Sequence, residues 1–301
     1  MKLRQSEFIR TSMIPEPSTN WQKFEYFLWK DFISLAYQHL NSAPWANKHA
    51  VAAWRILAFL YLFGLAIWTI ADDPKLCWIY FTKWGVFITT ITYGILAAYQ
   101  VRQYILIRSK KSVLQHYQNF YSPWLLWKWG IIFYESAFTF EVVITLFFWA
   151  ILYPDSDHSD PNNLRNNLLL HASPIVVLVT DYVINRIPFQ FKHLPLSLFI
   201  LIVYGLVNMI YTLTSGTPVY PPLNFKDGMT AVWVLVLFCI ETGTYTGMYF
   251  LTRWKIRKYR LLDADSSSEL TIFEVTSNLN SFGKSNDNTH SKLIESAEPS
   301  P

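Results

Sequence analysis

Six long apolar stretches dominate this chain and limit it to the structures that a lipid bilayer allows. They lie at approximately 54–71, 78–100, 124–152, 168–185, 194–213 and 229–251. A helix needs about 20 predominantly apolar residues to cross the hydrocarbon core. In lipid, only helices and closed barrels satisfy their own backbone hydrogen bonds, and these stretches are too long and too uniformly apolar for strands. We therefore expect an all-α membrane protein with six transmembrane helices in one bundle.

The composition supports this class and excludes several others. Of the 301 residues, 52% are hydrophobic and only 15% are charged, whereas a soluble chain carries about 25% charged residues. The two cysteines are too few for a disulfide framework. Basic residues gather at the ends of the apolar stretches, as in membrane proteins. We therefore expect membrane lipids as surroundings and no nucleic acid as a partner, while protein partners are not identified by the sequence.

The distribution of lysine and arginine predicts the topology. Basic residues are concentrated before the first stretch, after the sixth, and in two connections, at 102–111 and 186–192. The alternate connections contain few of them, and the positive-inside rule therefore places both termini in the cytoplasm. We expect an integral, multi-pass protein of the plasma membrane or the endoplasmic reticulum.

The chain divides into three regions by composition. Residues 1–50 form a cytoplasmic N-terminal region, in which 21–40 have the apolar spacing of an amphipathic helix. Such a helix lies either on the membrane surface or against the rest of the protein, and the sequence leaves both open. Residues 51–260 form the six-helix transmembrane domain. Residues 261–301 are rich in Ser, Asn, Asp and Glu, which predicts a disordered cytoplasmic tail.

Polar and ionisable groups inside the stretches need a reason to be there, because burying them in lipid is costly. The candidates are Lys83, Lys128, Glu135, Glu141, His171, Asp181, Asn208 and Glu241. We expect the two lysines to extend towards the headgroups and Asn208 to form an interhelical hydrogen bond. Counting about 1.5 Å per residue places Thr82, Glu141 and His171 in one layer near the outer face. The same count places the other three carboxylates nearer the midplane or the inner half.

The outer layer contains the minimal unit for nucleophilic acyl chemistry. A neutral imidazole at His171 could take the proton of the Thr82 hydroxyl and return it to the leaving group. Glu141 has the right depth to be an orienting acid for the histidine. A membrane location would suit a lipid ester substrate. We expect no cofactor and no metal site, since the Asp155 to Asp160 loop has the composition of a solvated turn.

Four short motifs resemble the rolling stone family of multipass membrane proteins. They are Tyr80-Phe81-Thr82-Lys83-Trp84-Gly85, Asn-Asn-Leu-Leu-Leu-His171 with Asp181 ten residues later, Asn185-Arg186-Ile187-Pro188, and Gly216-Thr-Pro-Val-Tyr220-Pro221. They occur in the expected order over roughly residues 50–260.

The resemblance implies an activity by way of a related family. Rolling stone proteins are related to the androgen-induced proteins, which are membrane threonine hydrolases of fatty acid esters of hydroxy fatty acids. Carried over, the nucleophile falls on Thr82 and the base on His171. Asp181 matches an acidic position of the family, but about 15 Å of helix separates it from His171. We therefore expect a structural partner for Asp181, such as Arg186.

Three functions remain open at this point. The first is a Thr-His hydrolase of lipid esters. The second is a non-enzymatic membrane protein acting in cell–cell fusion or adhesion, since rolling stone proteins are associated with muscle-cell fusion. The third is a proton-coupled transporter that uses Glu135, Asp181 and Glu241 as a relay.

Overall fold

The fold is all-helical, as the sequence predicts. The structure, a computed structural model, describes residues 19–20, 23–24, 28, 43, 45–108, 125–155 and 161–258, and no strand occurs in those ranges. Six of its helices are long and apolar enough to cross a membrane. Most of the amphipathic helix predicted at 21–40, and the whole of the tail predicted at 261–301, lie outside the described residues.

The helix bounds lie close to the predicted stretches. The first three spans are α1 (Lys48–Asp72), α2 (Phe81–Arg108) and α3 (Leu125–Phe147). The fourth consists of two shorter helices, α4 (Pro161–His171) and α5 (Ser173–Ile184). The last two are α6 (Leu194–Ser215) and α7 (Met229–Lys258). By residue contacts the chain forms two compact units, Met1–Arg253 and Trp254–Pro301, and of the second only 254–258 are described, all of them helical.

Helix α3 is the most enclosed of the spans. Within its apolar window 72% of the residues are buried, against 33% for α1. Ile131, Tyr134, Ala137 and Phe140 have no exposed surface, and their spacing of three residues covers more than one face of the helix. Helices α2, α4, α5 and α6 pack against α3, so polar groups on it are shielded from water.

Local chemistry sets several of the helix ends. The Asn47 side chain caps α1 by accepting a hydrogen bond from the His49 N–H at 2.8 Å. Helix α6 ends at Gly216, which has a φ of 75° and donates its N–H to the Thr212 carbonyl at 3.0 Å. Glycine adopts this left-handed conformation without steric cost.

A buried ion pair joins α1 to α5. Arg55 Nε donates to Asp181 Oδ1 at 2.8 Å and its Nη2 to Oδ2 at 3.2 Å, with both side chains fully buried. Asn185 adds a third donor to the carboxylate at 2.6 Å. The partner of Asp181 is therefore Arg55, and our expectation of Arg186 is corrected. The pair lies 126 positions apart in sequence, so helix spacing could not identify it.

Glu135 and Glu241, the two other carboxylates of that predicted group, also have dedicated partners. Glu135 accepts hydrogen bonds from the Gln190 N–H at 2.9 Å and the Tyr245 hydroxyl at 2.8 Å, and contacts His193 Nδ1 at 2.7 Å. Glu241 accepts from the hydroxyls of Thr139 at 2.6 Å and Ser197 at 2.7 Å. Hydroxyl and amide donors therefore compensate part of the cost of burying these groups.

Two expectations about polar side chains were wrong. Asn208 donates to the Tyr204 hydroxyl at 3.3 Å, which lies on the same helix, so this hydrogen bond is intrahelical. Lys83 is buried, with 7% of its surface exposed, and its ammonium group lies 5.3 Å from the centre of the Tyr80 ring. A cation–π contact thus takes the place of the expected extension to the headgroups.

Candidate functional site

The side chains of Thr82 and His171 meet, although 89 positions separate them in sequence. Thr82 Oγ1 lies 3.4 Å from His171 Nδ1, and both residues are buried. With the ring proton on Nε2, Nδ1 can accept the threonine hydrogen. The distance is longer than the ~2.8 Å of a strong O–H hydrogen bond, and such contacts commonly tighten when substrate binds.

The ends of two helices hold these side chains. Thr82 is the second residue of α2, which begins shortly after the turns at 74–79. His171 is the last residue of α4, where the backbone leaves the helical path at Ala172 with φ −125° and ψ −38°. The Thr145 hydroxyl of α3 donates to the His171 carbonyl at 2.8 Å. This contact satisfies a carbonyl at the helix break and fixes the height of the imidazole.

The imidazole is stacked on an aromatic ring. The centres of the His171 and Phe148 rings are 3.5 Å apart, and their planes differ by 3°. Phe148 begins the π-helical turn Phe148–Leu152, which follows α3 directly. Such turns change the direction of side chains and are frequent at functional sites. The stacking therefore fixes the plane of the imidazole.

Glu141 lies beside the site but does not orient the histidine by a hydrogen bond. Its Oε1 accepts from the Thr89 hydroxyl at 3.3 Å, and its buried Oε2 has no hydrogen-bond partner among the described residues. A Cβ atom added to Gly85 would lie 2.6 Å from Oε1. Gly85 is one helical turn beyond Thr82, so Glu141 packs against the helix that carries the hydroxyl.

Tyr220 is a member of this site that we did not predict. Its hydroxyl accepts a hydrogen bond at 2.9 Å from the N–H of Phe81, the residue directly before Thr82, and the residue belongs to the same apolar cluster as Tyr204. Burial raises the pKa of the Tyr220 phenol above its usual value, so the group stays protonated at neutral pH. The only sequence signal for it was its place in the motif that ends at Pro221.

Phe148 was also missed, because a stacking partner leaves no pattern in the sequence. The wider surroundings are aromatic, with Phe81 against Phe140 at 5.4 Å and against Tyr204 at 4.6 Å between ring centres. Apolar walls of this kind suit an acyl chain better than a polar substrate.

No metal site accompanies the dyad in the described part of the chain. No group of three or more His, Cys, Asp or Glu residues lies close enough there to bind an ion. His158 and two aspartates of the loop considered in the sequence analysis lie outside the described residues. The chemistry that the arrangement itself offers is that of a hydroxyl, an imidazole and a phenol.

Comparison with known proteins identifies one relative. The chain is 23% identical over 221 residues to Protein rolling stone of Drosophila melanogaster, and the match covers 67% of this chain and 78% of that protein. No family model matches the chain. No solved structure matches it either. The similarity to Protein rolling stone agrees with the motifs and with the six membrane-spanning helices.

Proposed function

Since this similarity supports membership of the rolling stone family, we propose that this multi-pass membrane protein is a lipid ester hydrolase that uses Thr82 as nucleophile and His171 as base. The observation that carries the proposal is the 3.4 Å separation of Thr82 Oγ1 and His171 Nδ1, two buried side chains beside the stacked ring of Phe148. The family resemblance suggests fatty acid esters of hydroxy fatty acids as the substrate class.

The reaction has two halves. In the first, His171 Nδ1 takes the Thr82 proton while Oγ1 attacks the ester carbonyl, and the carbonyl electron pair moves onto its oxygen. The intermediate collapses, the ester C–O bond breaks, and the leaving alkoxide receives the proton from His171. In the second half, His171 activates a water molecule, which releases the fatty acid and restores the threonine hydroxyl.

The location of the dyad supports both halves. Thr82 is the second residue of α2, so the hydroxyl lies near one end of that span. A lipid ester can reach such a site from the bilayer, and water can reach it from the adjacent aqueous phase. We propose the plasma membrane or the endoplasmic reticulum as the location.

Labelling by a fluorophosphonate probe tests the proposal without requiring the substrate. Wild-type protein in detergent micelles should be labelled and should hydrolyse a fatty acid ester of a hydroxy fatty acid. Thr82→Ala and His171→Ala should each abolish both signals, because a threonine hydroxyl without its base is a poor nucleophile. Thr82→Ser should retain partial activity. The double variant should be little worse than either single one, since the pair acts as a unit.

Thr92→Ala is the matched control. Thr92 lies on the same helix, is fully buried and donates to the Ile88 carbonyl at 2.8 Å. Its loss should leave labelling unchanged. Wild-type protein that is folded, is never labelled and hydrolyses no lipid ester would overturn the proposal and favour a non-enzymatic role in fusion or adhesion.

A further inference from the structure

We propose that the Tyr220 hydroxyl donates a hydrogen bond first to the Thr82 oxygen and then to the oxyanion that forms when Thr82 attacks an ester. The inference rests on the proposed hydrolysis and adds a third residue to its machinery. It assigns a chemical role to the connection between α6 and α7.

The connection brings the phenol to the nucleophile. Tyr220 precedes the short 3-10 helix Pro221–Leu223, and only 9% of its surface is exposed. Its hydroxyl accepts a hydrogen bond at 2.9 Å from the N–H of Phe81, which is the residue directly before Thr82. The Tyr220 oxygen thus has a fixed position relative to the first turn of α2.

Neighbouring rings restrict the phenol further. The Tyr220 ring meets the Tyr80 ring edge-on, at 6.5 Å between centres and 80° between planes. It meets the Phe147 ring in the same way, at 6.0 Å and 89°. Such edge-to-face contacts favour one ring orientation, so the hydroxyl is positioned before substrate binds.

The hydrogen-bond inventory leaves the Tyr220 proton available to the site. A phenol has one proton and can accept hydrogen bonds on its oxygen, and the Phe81 N–H uses part of that accepting capacity. The Tyr204 hydroxyl gives its own proton to the Ile79 carbonyl at 3.0 Å. No hydrogen bond among the described residues uses the Tyr220 proton, and its nearest candidate acceptors are Thr82, which follows Phe81 in sequence, and the Tyr204 oxygen of the same cluster.

The Thr82 oxygen is the better acceptor for this purpose. When Thr82 directs its proton towards His171 Nδ1, its oxygen lone pairs are free for the Tyr220 hydroxyl. The two contacts together hold the Thr82 hydroxyl in the orientation that attack requires. When Oγ1 bonds to the substrate carbon, the carbonyl oxygen on that carbon becomes negatively charged. The Tyr220 hydroxyl then donates its hydrogen bond to this oxygen instead of to Oγ1. The phenol donates a hydrogen bond throughout and transfers no proton.

Removing the hydroxyl while keeping the ring tests the inference. In Tyr220→Phe the edge-to-face packing remains, and the rate of ester hydrolysis at saturating substrate should fall by about 10²-fold, the scale for one oxyanion donor. The KM should stay near the wild-type value because the donor acts mainly in the transition state. Fluorophosphonate labelling should slow in parallel, since the attacked phosphoryl oxygen takes the same position. Tyr80→Phe, which alters a neighbouring phenol, should change neither quantity.

A second variant separates chemistry from folding. Replacing Tyr220 with 3,5-difluorotyrosine keeps the hydroxyl and its contacts but lowers the pKa of the phenol. The alkaline limb of the pH–rate profile should then move to lower pH, because the ionised phenol cannot donate. A purely structural role for the residue would leave the profile in place.

The outcomes distinguish this inference from the function on which it rests. Wild-type protein without labelling or hydrolysis overturns both. Active wild-type protein together with a fully active Tyr220→Phe variant overturns the role of Tyr220 and leaves the Thr-His hydrolase intact. A raised KM with an unchanged maximal rate also overturns it, because Tyr220 would then bind substrate only. If Tyr220→Phe fails to fold, an unshifted pH profile in the fluorinated protein decides against the inference.

Discussion

His171 lies flat against Phe148, with 3.5 Å between ring centres and 3° between ring planes. In many hydrolases a carboxylate fixes the imidazole of the base by a hydrogen bond. Here the face of the ring is held by stacking and the carbonyl of the same residue by Thr145, at 2.8 Å. Thr145 lies near the end of α3 and Phe148 begins the π-helical turn that follows it, so this one segment positions the base.

The first prediction concerns this stacking. Phe148→Leu keeps an apolar side chain but removes the flat surface, so the imidazole gains freedom to rotate. We expect the labelling rate to fall about tenfold, as expected when a reacting group loses its orientation. Phe199→Leu, at a position on α6 with 63% of its surface exposed, is the control and should have no effect. Equal labelling of the two variants would show that stacking does not orient the base.

The second prediction concerns the contact between α2 and α3. A Cβ atom at Gly85 would lie 2.5 Å from Ile144 Cδ1 and 2.6 Å from Glu141 Oε1. Gly85→Ala should therefore push the two helices apart, lower the melting temperature and reduce labelling at Thr82, one turn away. Gly64→Ala has nothing within 4 Å of the new atom and should be neutral or stabilising, since alanine favours helix by about 1 kcal/mol over glycine.

A compensating change sharpens that test. Ile144→Val removes the Cδ1 atom that the new methyl group would meet. Combined with Gly85→Ala, it should recover part of the lost melting temperature, which is the signature of two residues in contact. Additive losses in the double variant would contradict the steric explanation.

Much of the fold could be predicted because the bilayer imposes a strong rule. Each span needs about 20 apolar residues, so the apolar stretches predicted six helices, with ends at most eight residues from those observed. The break at Ala172 was not predicted, although Pro174 directly follows the start of α5. Proline is favoured in the first turn of any helix, so Pro174 is compatible with a helix start but does not show that another helix ends directly before it.

The site was partly predictable for a similar reason. Counting residues from the span ends gives depth, which placed Thr82 and His171 in one layer, and their side chains lie 3.4 Å apart. Depth says nothing about which face of a helix a residue occupies. Glu141 shares the layer but accepts its hydrogen bond from Thr89 and not from His171. Tyr220 lies in the connection between α6 and α7, where there is no helical period from which to count depth. Lateral contacts of this kind depend on packing across the whole bundle.

The third prediction concerns the ion pair of Arg55 and Asp181, both of which are fully buried. Asp181→Asn leaves the guanidinium in an apolar interior without its counter-charge. Breaking a buried ion pair in this way typically costs about 3–5 kcal/mol of folding stability. We expect a large drop in the melting temperature in detergent and little folded protein. Arg55→Met combined with Asp181→Leu should recover stability, because no unpaired charge remains. A mild effect of Asp181→Asn alone would contradict this view.

The fourth prediction concerns pH and the start of α7. Asp227 Oδ1 accepts hydrogen bonds from the N–H groups of Met229 at 3.0 Å and Thr230 at 3.3 Å, and Asn224 donates to Oδ2 at 2.8 Å. These contacts, that of Asn224 above all, hold the pKa of Asp227 below its usual value of 3.8. A lowered pKa in the folded state means that the stabilisation is present above pH 3.8 and is lost as the pH falls through the folded value.

Melting temperatures measured between pH 6 and pH 2.5 check that prediction. Asp227→Asn keeps a good capping residue but cannot titrate, so its melting curve should show a smaller loss at the acid end than the wild type. Because Asp227 is exposed to solvent, added salt should reduce the difference between the two proteins. Identical acid profiles would show that the cap does not contribute to stability.

The last prediction concerns orientation in the membrane. The asymmetry of lysine and arginine between connections places both termini in the cytoplasm, and with them the connection between α2 and α3. An N-glycosylation sequon engineered into 156–162 should then be modified, because that connection faces the lumen or the exterior. A sequon engineered into 105–118 should remain unmodified, and it serves as the matched control on the opposite side. This orientation puts the start of α2, with Thr82, on the non-cytoplasmic side together with His171. The reverse glycosylation pattern would contradict this orientation. The dyad would then lie next to the cytoplasm, and its lipid esters would come from the cytoplasmic leaflet.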